Sequence, residues 1–173
     1  MAIRSYRGVG PTIPESAYVD EHALVIGNVT LGEGVSVWPG AVLRADDDSV
    51  CVGRGSAVMD QAFVEAPSGK PVTTGEGCLV SHGVRLHGCS LGSGVLVGVG
   101  AIVLDGARIG DGAIVGAGSL VTPGMEIGPG ELVLGSPAKA MRRVTEEETS
   151  RIARELEAVK AKALDYKRNR PPR

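Results

Sequence analysis

Residues 91–133 read LGSGVLVGVGAIVLDGARIGDGAIVGAGSLVTPGMEIGPGELV, and an aliphatic side chain stands at every sixth place: Leu91, Val97, Val103, Ile109, Val115, Val121, Ile127 and Val133. Gly follows at once at 92, 98, 110, 116 and 128, and a small residue comes four places after the aliphatic at Ala101, Ala107, Ala113 and Ser119. A period of six is neither the 3.6 of a helix nor the simple alternation of a long strand. One inward aliphatic, a glycine able to take a positive φ and a small residue that lets layers stack describe one flat side of a triangular coil. Three such units make one turn of a parallel β-helix. The same beat occurs earlier, with Val or Leu at 25, 31, 37 and 43 and, after an offset, at 52, 58 and 64. Each coil must stack on its neighbours, so the array needs covers at its ends.

Composition agrees with a repetitive core. Among 173 residues only Phe63, Trp38 and three Tyr are aromatic, whereas Gly reaches 26. The chain is long enough for one domain with an appendage. Its net charge of -2 comes from acidic and basic residues mixed along the sequence, which gives no long-range pull toward polyanions and argues against a nucleic-acid partner. No window approaches the ~18 unbroken apolar residues of a membrane helix, so no membrane partner is expected. The opening MAIRSYRGVG has no apolar stretch of the signal-peptide kind, and the expectation is a cytoplasmic protein. Cys51, Cys78 and Cys89 are odd in number and lack CxxC spacing, so they read as small buried or rim residues rather than disulfide or thiolate-zinc partners.

After LVLGSPAKAMRRV the repeat stops. Thr145 with Glu148 forms a capping box, acidic residues crowd the first turn that follows and basic ones the last, and Ile152, Leu156, Val159 and Ala163 fall on one stripe. The expected organisation is a β-helix over 1–144 and a helix over 145–173 that packs on the β-helix or on a neighbouring subunit. Lys139, Arg142 and Arg143 are expected to brace the helix, and the final RPPR to fray.

Two of the three histidines fall in VSHGVRLHGC, residues 80–89. With Val64, Thr74, Val80 and Leu86 as successive inward positions and residues 67–70 looped out, Leu86 lies one coil above Val64. Glu65 and His87 then become neighbours on adjacent coils, ~4.8 Å apart along the stack. His82 follows Val80 on another side of the triangle and reaches the same ion only from an adjacent chain. Two imidazoles and one carboxylate are an open zinc set. The competing reading is that both histidines fill rim positions and bond to backbone or water. His22 reads as a surface histidine, and Asp46 to Asp48 as an acidic run in a turn.

With SVWPGAVLRADDDSV, VSHGVRLHGC, GVGAIVLDGARIGDGAIVGAGSLV and VLGSPAKAMRRVTEEE in this order, the chain resembles the gamma-class carbonic anhydrase family over nearly its whole length. The resemblance implies a mainly β fold, a left-handed parallel β-helix of hexapeptide repeats with a C-terminal α-helix. It implies a homotrimer with a divalent metal, usually zinc, held at each subunit interface by two histidines of one chain and a third from its neighbour. His82 and His87 match two of these ligands, Arg44 and Asp46 match the Arg and Asp of the family site, and Asp60 matches an acidic residue that pairs with the Arg across the interface. The implied activity is attack of metal-bound hydroxide on CO2 to give bicarbonate.

Two positions depart from the family pattern. Glu65 stands where the first histidine ligand belongs, and Met59 where the family has a Gln near the metal-bound water. A carboxylate still ligates, yet its charge leaves the ion a weaker Lewis acid, so less hydroxide forms at neutral pH. Met59 offers no useful hydrogen bond and, with Phe63, makes the pocket more apolar. Slow or absent CO2 hydration is expected. Two alternatives stay open: a metal-dependent acyl-CoA thioesterase or other hydrolase whose small-molecule substrate has an apolar acyl group, and a non-catalytic trimeric scaffold or ligand-binding protein that has lost its metal.

Overall fold

The structure, a computed structural model, describes residues 2–169; Met1 and the terminal RPPR, expected to fray, lie outside the described residues. The chain winds into a parallel β-helix of about seven turns, and ladders of short strands form its three flat sides. One side stacks Val25, Leu43, Val64, Leu86, Val103 and Val121 in register. The second stacks Val19, Val37, Val58, Val80, Val97, Val115 and Val133. The third stacks Leu31, Val52, Thr74, Leu91, Ile109 and Ile127. All of these side chains are buried, and no large aromatic enters the axis because one aliphatic per side already fills a coil this narrow.

The two kinds of glycine in the repeat do different work. A positive φ was expected at the glycine directly after each aliphatic. It occurs instead two residues later, at Gly94, Gly100, Gly112 and their equivalents, where φ lies near 66° and the chain turns a corner. The first glycine is required by close stacking: a Cβ at Gly98 would stand 2.6 Å from the amide nitrogen of Ala117 on the next coil.

Two interruptions of the period shape the surface. The strand Val42–Val52 runs on without a break, but its register against Leu24–Leu31 jumps from Gly27 opposite Ala45 to Val29 opposite Val50. The acidic run Asp46 to Asp48 therefore bulges from within a strand, not from a turn, because the extra residues are absorbed without breaking the ladder. Residues 67–70 leave the coil as a short turn closed by the Lys70 amide donating to the Pro67 carbonyl at 2.9 Å.

The helix Glu146–Arg168 starts at Thr145 with both bonds of the capping box made. Its buried stripe is Ile152, Leu156, Val159 and Ala163, and it packs on the second side of its own β-helix against Tyr18, Trp38, Ala57, Met59 and Leu79. Just before it, the strand Lys139–Arg143 runs antiparallel to Glu131–Leu134. Arg142 grips Glu148 with bonds of 2.8 and 2.9 Å, and Arg143 donates to the Pro129 carbonyl. Lys139 lies on the exposed strand.

The helix covers only one of the three sides. The first side presents Leu24, Val42, Phe63, Ile102 and Leu120, all half-buried, to the exterior. Cys51 is exposed while Cys78 and Cys89 are buried, and burial pushes the Cys89 thiol up to about 12, which leaves it unreactive. Among the described residues no helix is long and apolar enough to cross a membrane.

The Arg142 clasp, aided by the Thr145 amide, draws the Glu148 carboxyl from its ordinary 4.5 to about 2. A carboxylate whose value is lowered on folding adds stability above the unfolded value and loses it as pH falls through the folded one. Glu148→Gln is therefore expected to lower the melting temperature at neutral pH, with the gap to the parent closing between pH 4.5 and about 2.

Candidate metal centre

Parallel register stacks Arg44 beside Glu65 and Glu65 beside His87 on three successive coils, all facing outward at one end of the first side. Arg44 Nη2 donates to Glu65 Oε1, and this bond holds the guanidinium more firmly protonated. Arg44 Nε lies 3.5 Å from Asp46 Oδ1, both atoms being buried and without a hydrogen bond. The same guanidinium stands 6.0 Å from the centre of the Phe63 ring. Glu65 Oε2, the oxygen not taken by Arg44, faces His87 Nε2 at 3.9 Å. His87 turns Nδ1 to Asp105 Oδ1, and Asp105 Oδ2 receives Lys70 Nζ at 2.7 Å. Lys70 first and His87 second hold the Asp105 carboxyl below its ordinary value.

His82 stands apart, at the corner where the helix-covered side turns toward the first. Its Nδ1 lies 3.0 Å from Asp60 Oδ2, and its side chain is 54% exposed. Within one chain Asp60 therefore pairs with His82, while the contact expected with Arg44 lies across a subunit interface. His82 and Asp60 border a cavity of about 440 Å³ between the solenoid and the helix, walled by Trp38, Pro39, Met59, Val159 and Tyr166. Met59 lines this cavity while Phe63 lies on the first side, so a single chain does not bring the two together. His22 is on the surface beside Asp20.

The structure thus gathers Glu65, His87, Arg44 and Asp46, and keeps His82 with Asp60 elsewhere. No group of three or more His, Cys, Asp or Glu side chains able to hold a metal exists within one chain among the described residues. Sequence reasoning missed Asp105 and Lys70. Asp105 comes one coil above Gly88, as the Gly106 amide donating to the Gly88 carbonyl records, but the step from Leu86 to Leu91 is one residue short of six and hides that alignment. Lys70 belongs to the looped-out turn, which has no register from which to place it.

Glu65 and His87 supply two donors of the kind and spacing a divalent metal takes, so a third would have to come from outside this chain. Two ligands 2.0–2.1 Å from a tetrahedral zinc are separated by about 3.3 Å, so the 3.9 Å between His87 Nε2 and Glu65 Oε2 needs only a small side-chain adjustment. With Nδ1 engaged by Asp105, Nε2 is the nitrogen left to ligate, the usual arrangement of a metal-binding histidine.

Residues 88–123 match the family model described as bacterial transferase hexapeptide (six repeats). The chain is 42% identical over 154 residues to the protein named "Probable carbonic anhydrase" of Methanocaldococcus jannaschii, covering 89% of this chain and 92% of that one. It is 39% identical over 144 residues to gamma carbonic anhydrase 2, mitochondrial, of Arabidopsis thaliana, covering 80% of this chain and 52% of the relative. The chain belongs to the gamma-carbonic-anhydrase-like family of hexapeptide-repeat proteins. Among solved structures, a hexapeptide transferase family protein from Anaplasma phagocytophilum superposes with a TM-score of 0.92 at 36% identity, covering 95% of this chain and 98% of the other. The gamma carbonic anhydrase relatives imply a metal.

The Arg44–Glu65 contact is expected to stabilise the fold by about 1 kcal/mol, since Arg44 is more than a third exposed and solvent screens the pair. A double-mutant cycle of Arg44→Met and Glu65→Gln, read by urea unfolding, should return a coupling of that size. Additive effects would mean that Glu65 is not held by Arg44.

Proposed function

We propose that this protein is a metal-dependent enzyme of gamma carbonic anhydrase type, assembled as a homotrimer whose sites lie between subunits. The observation that carries the reading is the register of Glu65 against His87, which puts a carboxylate oxygen and an imidazole nitrogen face to face. Glu65 and His87 of one chain and His82 of its neighbour would hold zinc or another divalent metal. Trimers are usual in this family. The half-buried apolar side between the His82 corner and the His87 column supports the same assembly, because it is the apolar one of the two faces the helix leaves uncovered.

When bound, the metal supplies Lewis-acid activation of water for attack on CO2. The protein's own residues set how well. Arg44 engages one oxygen of Glu65 and leaves the other for the ion, while Asp46 holds the far edge of the guanidinium. The negative charge of Glu65 weakens the Lewis acid relative to three neutral imidazoles. Met59, in place of an amide, offers no hydrogen bond to an attacking oxygen. CO2 hydration is accordingly slow. A cytoplasmic location accords with three cysteines outside any disulfide.

A second reading keeps the metal and changes the electrophile to an acyl thioester or related small molecule. The cavity beside His82 favours it, since about 440 Å³ bordered by Met59, Trp38 and Val159 is of the size that organic ligands fill and far exceeds CO2.

Metal content per chain, measured on protein expressed with added zinc, is expected near one and lost in both Glu65→Ala and His87→Ala. In the same series Glu65→His should raise CO2 hydration about tenfold for each pK unit by which the neutral ligand lowers the ionisation of activated water. Thioester turnover that a chelator abolishes, with CO2 hydration absent even in Glu65→His, would transfer the site to the second reading. A metal-free parent would leave the trimer as a scaffold or ligand-binding protein.

A further inference from the structure

His87 is the only imidazole of the candidate centre that faces another candidate ligand in its own chain, and its orientation is fixed from outside the ligand set. Asp105, one coil above, touches Nδ1, and that carboxylate is held on its other oxygen by Lys70. Lys70 reaches it from the 67–70 excursion, the turn that the hexapeptide pattern leaves unexplained. The packing there is tight. A Cβ at Gly88 would stand 3.0 Å from Lys70 Cβ, 3.3 Å from Asp105 Oδ1 and 3.3 Å from Pro67 Cγ. Gly88 also has a φ of 54°, so glycine is favoured there by both backbone and space. The residue after the candidate ligand, the excursion and the carboxylate thus close on one another.

We propose that Asp105, anchored by Lys70 of the 67–70 turn, is a positioning residue for His87, fixing the proton on Nδ1 and presenting the Nε2 lone pair toward Glu65. The chemistry follows from the donor inventory. An ionised carboxylate only accepts, so the ring nitrogen that touches Asp105 must carry hydrogen, and in the neutral imidazole the other nitrogen is then a free acceptor or ligand. Lys70 Nζ, 2.7 Å from Asp105 Oδ2, occupies the oxygen that His87 does not touch. The excursion matters because Lys70 is half exposed and would otherwise be free to swing away, while the turn closed between Pro67 and Lys70 keeps its stem against Gly88. The consequence for metal affinity rests on the proposed metal reading; the tautomer of His87 does not.

The test begins on metal-free protein, with nitrogen-15 labelled histidine and long-range proton–nitrogen spectra recorded where the imidazoles are neutral. The parent is expected to hold His87 as the Nδ1–H tautomer. Asp105→Ala should release it to the Nε2–H form that free imidazoles prefer, and Lys70→Met should give a mixture, with His22 unchanged in both. A parent already in the Nε2–H form, or an Asp105→Ala variant of unchanged melting temperature that keeps Nδ1–H, overturns the proposal whether or not a metal binds. If Asp105→Ala does not fold, the Lys70→Met spectrum decides in the same way. The second arm measures zinc affinity by chelator competition. Asp105→Ala is expected to weaken it by 10- to 100-fold, and Lys70→Met by less. A parent that binds no zinc while its tautomer responds to Asp105 sinks the metal reading and leaves the positioning role standing.

Discussion

In a parallel ladder, residues of equal register stack about 4.8 Å apart, and the candidate site exists because that spacing brings three unlike side chains into one column. Arg44, Glu65 and His87 are separated by more than twenty residues at each step, yet Arg44 meets Glu65 and Glu65 meets His87 directly across neighbouring coils. The inward face of the same strands is Leu43, Val64 and Leu86, all fully buried. A slip of one residue would turn that column inward and expose the core, so packing of the axis and placement of the site are one constraint.

The regular coil supplies the column, and contacts that orient its side chains come from where the repeat is broken. The strand Val42–Val52 absorbs extra residues as a bulge, which puts Asp46 against the Arg44 guanidinium. The excursion at 67–70 supplies Lys70 to Asp105. The first side carries the column, and the corner beside it carries His82 with Asp60. Each departure from six thus adds a polar contact that an uninterrupted hexapeptide would not make.

The regular parts were the legible ones. The period of six gave the coil, the buried stripe Ile152, Leu156, Val159 and Ala163 gave the helix face, and Glu65 could be set beside His87 by counting inward positions. Three things were not legible. The glycine after each aliphatic looked like a turn residue, because composition does not distinguish a positive φ from a close approach; only the 2.6 Å clash at Gly98 separates them. Asp105 was hidden by the short step between Leu86 and Leu91, and Lys70 by lying in a loop. The partners of His82 and Asp60 depend on side-chain reach around a corner, which periodicity does not encode.

The central proposal is that Glu65 serves as a ligand rather than a solvated side chain, since Arg44 takes one of its oxygens and leaves the other facing His87. Anomalous diffraction at the zinc edge from zinc-loaded crystals tests this most directly. The expected result is one ion per chain, bonded to Glu65 Oε2, His87 Nε2 and a His82 nitrogen of the neighbouring subunit. Crystals with no ordered ion there, or an ion bound by the histidines with Glu65 turned wholly to Arg44, would contradict it.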